Sequence, residues 1–218
     1  MRAFLQAITF GGLLFAAVTP TAAATGTSFP ELTNANQVLN LTAAQAAESR
    51  PVRLRGVVVD RSEPENRALI LADQTAGIYL VSQNNLFTPY HRNDLLEIEG
   101  VSSPGQFAPC VLTTKVRKLG TDKVPPARPV TYQQLITGAM DAQFVEITGV
   151  VRECWPAPPG QDIWRIKLAA DGGTIAVRIP APQNPQIKVD AEVKLRAVCL
   201  YLFNQKRQAL GPVLQVPH

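Results

Sequence analysis

Hydrophobic and polar residues alternate along short stretches separated by turn-rich segments. Val52 and Leu54 fall on one side of an extended chain, with Arg53 and Arg55 on the other. The stretch Val52-Arg-Leu-Arg-Gly-Val-Val58 reappears as Val145-Glu-Ile-Thr-Gly-Val-Val151, with Gly56 and Gly149 in register. A polar, proline-containing turn follows each: residues 61–67 in the first copy and 156–162 in the second. Two short apolar runs joined by a tight turn come next. In the first copy these are residues 68–73 and 78–81, in the second 164–168 and 174–177. Asp94 to Val101 then matches Ala191 to Val198, and Phe107 to Leu119 matches Phe203 to Val216. Each copy therefore predicts five short strands. Asp171-Gly-Gly173 and Asp73 to Gly77 read as the turns between strands two and three, because Asp-Gly and Gly-Gly supply the backbone freedom such turns require.

A glycine midway along a long first strand allows the bend by which one strand pairs with both its second and fourth neighbours. Five strands with a kinked first strand predict a mainly β chain of two tandem five-stranded OB-like barrels; a generic β-sandwich is the alternative. Thr42-Ala-Ala-Gln45 and Thr131-Tyr-Gln-Gln134 have the form of capping boxes and place a short helix before each barrel. Three prolines within Lys123 to Pro129 make a stiff connector. The expected organisation is a leader over 1–24, a segment with a short helix over 25–51, a first barrel over 52–119, a proline linker and helix over 120–143, and a second barrel over 144–218.

Arg2, the apolar stretch Phe4 to Val18 and the small residues Ala22-Ala23-Ala24 form a secretory signal, cleaved near Ala24. The stretch is shorter than the roughly 20 apolar residues of a spanning helix, and no later segment is apolar enough to span. A periplasmic or secreted protein is expected. Cleavage removes Arg2 and leaves 20 basic against 17 acidic side chains, a net charge near +3. Export permits disulfides among Cys110, Cys154 and Cys199. Buried free thiols and a Cys154–Cys199 bridge within the second barrel are both open at this stage. The cysteines lack metal-ligand spacing and the chain has two histidines, so neither metal nor cofactor is expected.

No nucleophile motif, phosphate loop or paired carboxylates stand out, and His91 lies in a polar loop; a non-enzymatic role is expected. Strands two and three offer one ring per copy, Tyr79 and Trp164, and the charge is low for a polyanion partner, which disfavours nucleic acid. A small molecule, an oligosaccharide or a protein remains, received on the outer face of strands two and three. That nominates Tyr79, Phe87, Tyr90, Trp155 and Trp164, although core or interdomain packing is the commoner role for each ring. Charges on strands one and four are expected to pair across the ladder: Arg53 and Arg55 with Glu97 and Glu99, and, with signs inverted, Glu146 with Lys194 and Arg196.

Leu32 to Val38, Pro51 to Val58, Asp73 to Tyr79, Glu99 to Val101, Phe107 to Pro109, Pro129 to Thr131 and Phe203 to Gln208 together resemble a known module. It is the tandem OB-like region at the extracytoplasmic N-terminus of bacterial sensor histidine kinases and hybrid two-component sensors, here without the membrane span or kinase. The resemblance covers residues from about Leu32 to Pro217. It implies a sensor-type input module and supplies no catalytic residue. An oligosaccharide- or single-stranded nucleic-acid-binding OB protein is the alternative.

Overall fold

The computed structural model describes residues 29–62, 68–156, 163–180, 186–204, 206 and 208–217. The expected leader lies outside the described residues, as do parts of the two long turns.

Five strands form the first barrel: β1 (Pro51–Ser62), β2 (Ala68–Ala72), β3 (Gly77–Val81), β4 (Asp94–Ser103) and β5 (Cys110–Thr121). Their order is β1-β2-β3-β5-β4, closed by β4 on β1, with β3 and β5 parallel. The connection that follows contains one two-residue strand, β6 (Arg128–Pro129), which runs parallel to the first strand of the second barrel. That barrel comprises β7 (Phe144–Trp155), β8 (Ile163–Ala170), β9 (Gly173–Pro180), β10 (Glu192–Phe203) and β11 (Ala209–Gln215). It repeats the order and closes through β10 on β7. This strand order is that of the OB-fold.

The bent first strand carries the closure. Residues 51–57 of β1 pair with β4 and the rest with β2, with a register shift between Val58 and Asp60. In β7 the corresponding shift falls between Val151 and Glu153. At the bend the chain presses against the next strand. A Cβ on Gly56 would lie 2.6 Å from the Ala72 carbonyl oxygen, and one on Gly149 2.5 Å from that of Ala169. Inside, Leu54, Leu69, Leu71, Ile78, Leu80 and Ile98 fill the first core. Ile147, Ile166, Leu168, Ile175, Val177 and Leu214 fill the second.

Three short helices decorate the barrels: α1 (Ala35–Leu39), α2 (Ala43–Ala46) and α3 (Tyr132–Ile136). Thr42 and Thr131 cap α2 and α3 through reciprocal bonds with Gln45 and Gln134. Both helices end early, and the chain turns left-handed beyond them at Ser49 (φ 55°) and at Gly138 (φ 88°). Asn34 and Gln37 form a third capping box, on α1, which the sequence reading did not separate from its surroundings. The connector is less uniform than its prolines imply, because β6 adds to the sheet there; β1 begins at Pro51 and β5 runs on to Thr121.

The barrels pack against one another. Val59, Ile70 and Ala72 of the first meet Ala142, Val198 and Leu200 at the second in a buried apolar seam, flanked by Tyr79, Val124 and Phe144. Gln143 fixes the approach: its Oε1 accepts from the Gly77 N–H and its Nε2 donates to the Gly77 carbonyl, both at 2.9 Å. Gln215 Nε2 donates to Asp60 Oδ2 at 2.7 Å. At the far margin Phe107 stacks on Tyr201 and Phe203, with ring centroids 5.4 and 5.1 Å apart.

Candidate functional site

The aromatic side chains nominated from the sequence scatter. Phe87 is fully buried in the first core and Tyr90 packs against the same cluster, its hydroxyl 3.5 Å from the Val116 carbonyl. Tyr79 points out of the first barrel into the seam. Trp164 shares the inward face of β8 with Ile166 and Leu168 and packs on the second core. These four positions are corrected from ligand contacts to packing. Trp155 alone of the five is exposed, at 45%.

The cysteines also depart from the bridged alternative: all three are free thiols. Antiparallel pairing runs Glu192 opposite Val150 and Val198 opposite Phe144, so Cys199 sits beyond one end of β7 and Cys154 near the other. Their register positions lie eleven residues apart along the strand, whereas a bridge needs Cα atoms within roughly 7 Å.

The charges on strands one and four face each other. Arg53 is opposite Glu99 and Arg55 opposite Glu97, with N···O distances of 3.1 and 2.9 Å. Glu146 is opposite Arg196 at 2.8 Å, and Lys194, two residue pairs along opposite Thr148, reaches back to Glu146 at 2.7 Å. The sequence reading missed a second rank on β5. Arg117 reaches Glu97 at 2.6 Å and Lys115 reaches Glu99 at 3.3 Å. Hydrogen bonds from Arg117 and Arg55 hold the buried Glu97 carboxyl down to about 2. Lys194 and Arg196 lower Glu146 in the same way. In a double-mutant cycle, Arg55→Gln is expected to destabilise the parent more than it destabilises Glu97→Gln; additive melting shifts would dismiss the pairing. A groove of about 980 Å³ passes this network, lined by Arg53, Arg55, Asp73, Arg117 and Lys123. Its polar walls are engaged internally, Glu97 by the arginines and Asp73 by the Ala35 and Thr75 N–H groups.

The repeat permits a position-by-position comparison of the outer β2–β3 and β8–β9 faces, with Ala72 and Ala169 as the equivalent points beside Gly56 and Gly149. Inward, Leu69, Leu71, Ile78 and Leu80 correspond to Ile166, Leu168, Ile175 and Val177. Outward, the copies diverge. Ala68, Ile70, Tyr79 and Val81 in the first barrel become Arg165, Lys167, Ala176 and Arg178 in the second. Ile70 and Tyr79 of the apolar set pack in the seam, whereas Arg165 and Lys167 are exposed and Arg178 lies at the seam's margin, near Tyr79. Strand register lines Trp155, Arg165 and Arg178 in one row across β7, β8 and β9, with Glu153, Lys167 and Ala176 in the next. Glu153 engages Lys167 at 3.1 Å. The first row continues to Gln215 on β11, whose amide contacts Asp60 of the first barrel.

A buried polar cluster lies behind the seam. Asp141 Oδ1 is buried and meets no hydrogen-bond donor among the described residues. Burial raises the Asp141 carboxyl to about 6, against the opposing pull of backbone bonds at Ala142 and Tyr201. Burial and then Asp141 push the Cys199 thiol up to about 12, and burial raises Cys110, Tyr79 and Tyr201 as well. No group of three or more potential metal ligands occurs among the described residues, nor any helix long and apolar enough to cross a membrane.

The strand order and the repeated bend define a tandem OB-fold protein. No family model and no curated protein matches the sequence. Among solved structures, the E. coli hypothetical protein YgiW is 18% identical over 42% of this chain and 92% of its own, with a TM-score of 0.33. The Ifi202 HINa domain, solved in complex with 20-bp dsDNA, is 13% identical over 75% of this chain and 90% of its own, TM-score 0.37. Asparaginyl-tRNA synthetase from Pyrococcus horikoshii is 17% identical over 44% of this chain and 24% of its own, TM-score 0.34. At these values the fold assignment rests on the strand pairing described above.

Proposed function

We propose that this protein is an exported, non-enzymatic binding module that serves a sensor-type system and receives its ligand on the outer face of β7, β8 and β9. One observation carries the reading: equivalent outer faces of the two barrels have opposite character. The first is apolar and covered by the second barrel; the second is basic and carries the exposed Trp155. OB-folds generally receive ligands on this sheet face, and a covered face is unavailable for that purpose. The first barrel is then a scaffold, and Gln143, Gln215 and Phe107 hold the second in place.

Two measurements test this. The chain has two tryptophans, and Trp164 is packed on the core while Trp155 is exposed. Ligand binding is therefore expected to shift emission from Trp155, and Trp155→Phe is expected to abolish the shift while leaving the melting temperature unchanged. A ligand whose binding leaves Trp155 unperturbed would remove the proposed face. For export, N-terminal sequencing of material recovered outside the cytoplasm is expected to begin at Thr25. Recovery of Met1 in the cytoplasm would overturn it.

A further inference from the structure

We infer that the pocket at the junction of the two barrels and their proline connector binds a small molecule carrying a phosphate group, either inorganic phosphate or a phosphomonoester. The site lies apart from the outer face of β7, β8 and β9: Phe144, in its wall, begins β7, whereas Trp155 ends it. The two readings therefore stand or fall separately. The pocket has a volume of about 370 Å³ and is lined by Arg92, Lys123 and Arg196, with Val124, Pro125 and Phe144 among its apolar walls. Each part of the junction supplies one cation: Arg92 comes from the loop before β4, Lys123 from the connector and Arg196 from β10. A hydrogen bond from the Asp122 N–H to the Asn93 carbonyl, 2.9 Å long, draws the first two segments together, so Arg92 and Lys123 each sit one residue from that bond. Asn93 holds its left-handed backbone (φ 71°) in place by donating to the Val58 carbonyl at 3.0 Å. No carboxylate lines the pocket among the described residues.

Internal partners do not consume these charges. Arg92 is half-buried and lies over the Phe144 ring, 5.5 Å from its centroid, a contact that steadies the guanidinium without supplying a counter-charge. Neither that guanidinium nor Lys123 Nζ has an ion pair or a hydrogen bond among the described residues. Arg196 gives its Nε to Glu146, but Lys194 also answers that carboxylate, so the trio keeps one positive charge. Of the acidic neighbours in sequence, Asp94 pairs with Lys118, and Asp122 accepts the Lys123 backbone N–H at 2.7 Å and lines the adjoining groove. With Asp122 counted against the three cations, two positive charges remain, close to the charge of a phosphomonoester at neutral pH. Cations gathered in this way repel one another, and an anion between them turns the repulsion into a bridge across the barrels. A single carboxylate brings half that charge, and a dicarboxylate divides it between two ends. A phosphate concentrates it on oxygens that guanidinium forks and an ammonium can share. A nucleic-acid strand is held by successive bases stacked on several rings, and here Arg92 already covers Phe144.

The test is calorimetric titration of the whole chain at low ionic strength with inorganic phosphate, glycerol phosphate, succinate and a dT dodecamer. Both phosphates are expected to bind and to raise the melting temperature. Tighter binding of glycerol phosphate assigns the site to a monoester, and equal binding assigns it to the free ion. Arg92→Gln and Lys123→Gln are each expected to weaken phosphate binding by about tenfold, in line with a lost hydrogen bond to a charged group. Both leave Glu146 paired, which Arg196→Gln would not. Lys115→Gln on β5 removes the same charge from the chain and none from the pocket, and is expected to have no effect. Lys123 is exposed, so Lys123→Gln decides the matter if Arg92→Gln loses stability together with its Phe144 contact. Succinate binding as tightly as phosphate overturns the phosphate requirement. Tighter binding of the dT dodecamer, weakened in both variants, overturns the small-molecule class. Phosphate binding that ignores both variants, or that falls equally in Lys115→Gln, overturns the pocket, as does absence of binding by both phosphates.

Discussion

Replacing Phe87 with alanine is expected to destabilise the protein by about 3–5 kcal/mol, lowering its melting temperature by on the order of 10 °C. The ring is fully buried in the first core, in the connection between β3 and β4. Truncation removes its transfer free energy and leaves a cavity that a closed barrel has little freedom to collapse into. Phe87→Leu keeps most of the volume and should cost well under half as much. Thermal denaturation at matched pH reads the difference. The measurement also separates packing from recognition. A melting temperature unchanged in Phe87→Ala, with ligand affinity reduced, would return the ring to the binding surface.

The second large effect concerns Asp141 and depends on pH. Unfolded, this carboxyl releases its proton near 3.8; folded, it does so at about 6, because burial penalises the charged form. Between these values the folded state holds a proton that the unfolded state has lost. Stability therefore falls as pH rises through that window and stays lowered above it. The full difference is about 3 kcal/mol at pH 7, part of which relaxation at the seam will recover. Asp141→Asn keeps an oxygen for the backbone bonds at Ala142 and Tyr201 and removes the charge. It should raise the melting temperature at pH 7 and have no effect below about pH 4. Tyr79, Cys110, Cys199 and Tyr201 face the same cluster, but the thiols and phenols are held protonated across this range. Glu97 behaves oppositely: its lowered value gives stability that is present above about pH 4.5 and lost as pH falls toward 2. A denaturation series from pH 3 to 8 checks both. An Asp141→Asn variant no more stable than the parent at pH 7 would place that carboxyl in water.

Much of the architecture was legible because it is written twice. Gly56 and Gly149 mark the same bend, and the alternation around them set the inward and outward positions that the barrels adopt. Alternation also held a signal that the sequence reading left unused. In Arg165-Ile-Lys-Leu168 polar and apolar residues alternate, which leaves one face for water and, carried back two positions, turns Trp164 inward with Ile166. In Ala68-Leu-Ile-Leu-Ala72 no position is polar, the mark of a strand covered on both faces. That run announced the seam, and with it the burial of Tyr79. The cluster around Asp141 was not legible. It assembles from a loop before β7, the end of β10, β3 and the start of β5, and no local pattern brings those segments together. Nor did spacing reveal the β5 rank of Lys115 and Arg117, because the register of β5 on β4 shifts at two places.

The divergence of the two outer faces also limits growth. Two barrels of one fold could in principle be followed by a third docked in the same way, and then by another, as in open-ended repeat assemblies. The step requires an apolar sheet face to receive the incoming β10 surface of Val198 and Leu200. The first barrel has such a face. The second presents Arg165, Lys167 and Arg178 at the same positions, which an apolar surface cannot cover without stranding charge. Docking by this mode therefore stops at two, and the same three side chains that mark the candidate site also terminate the array.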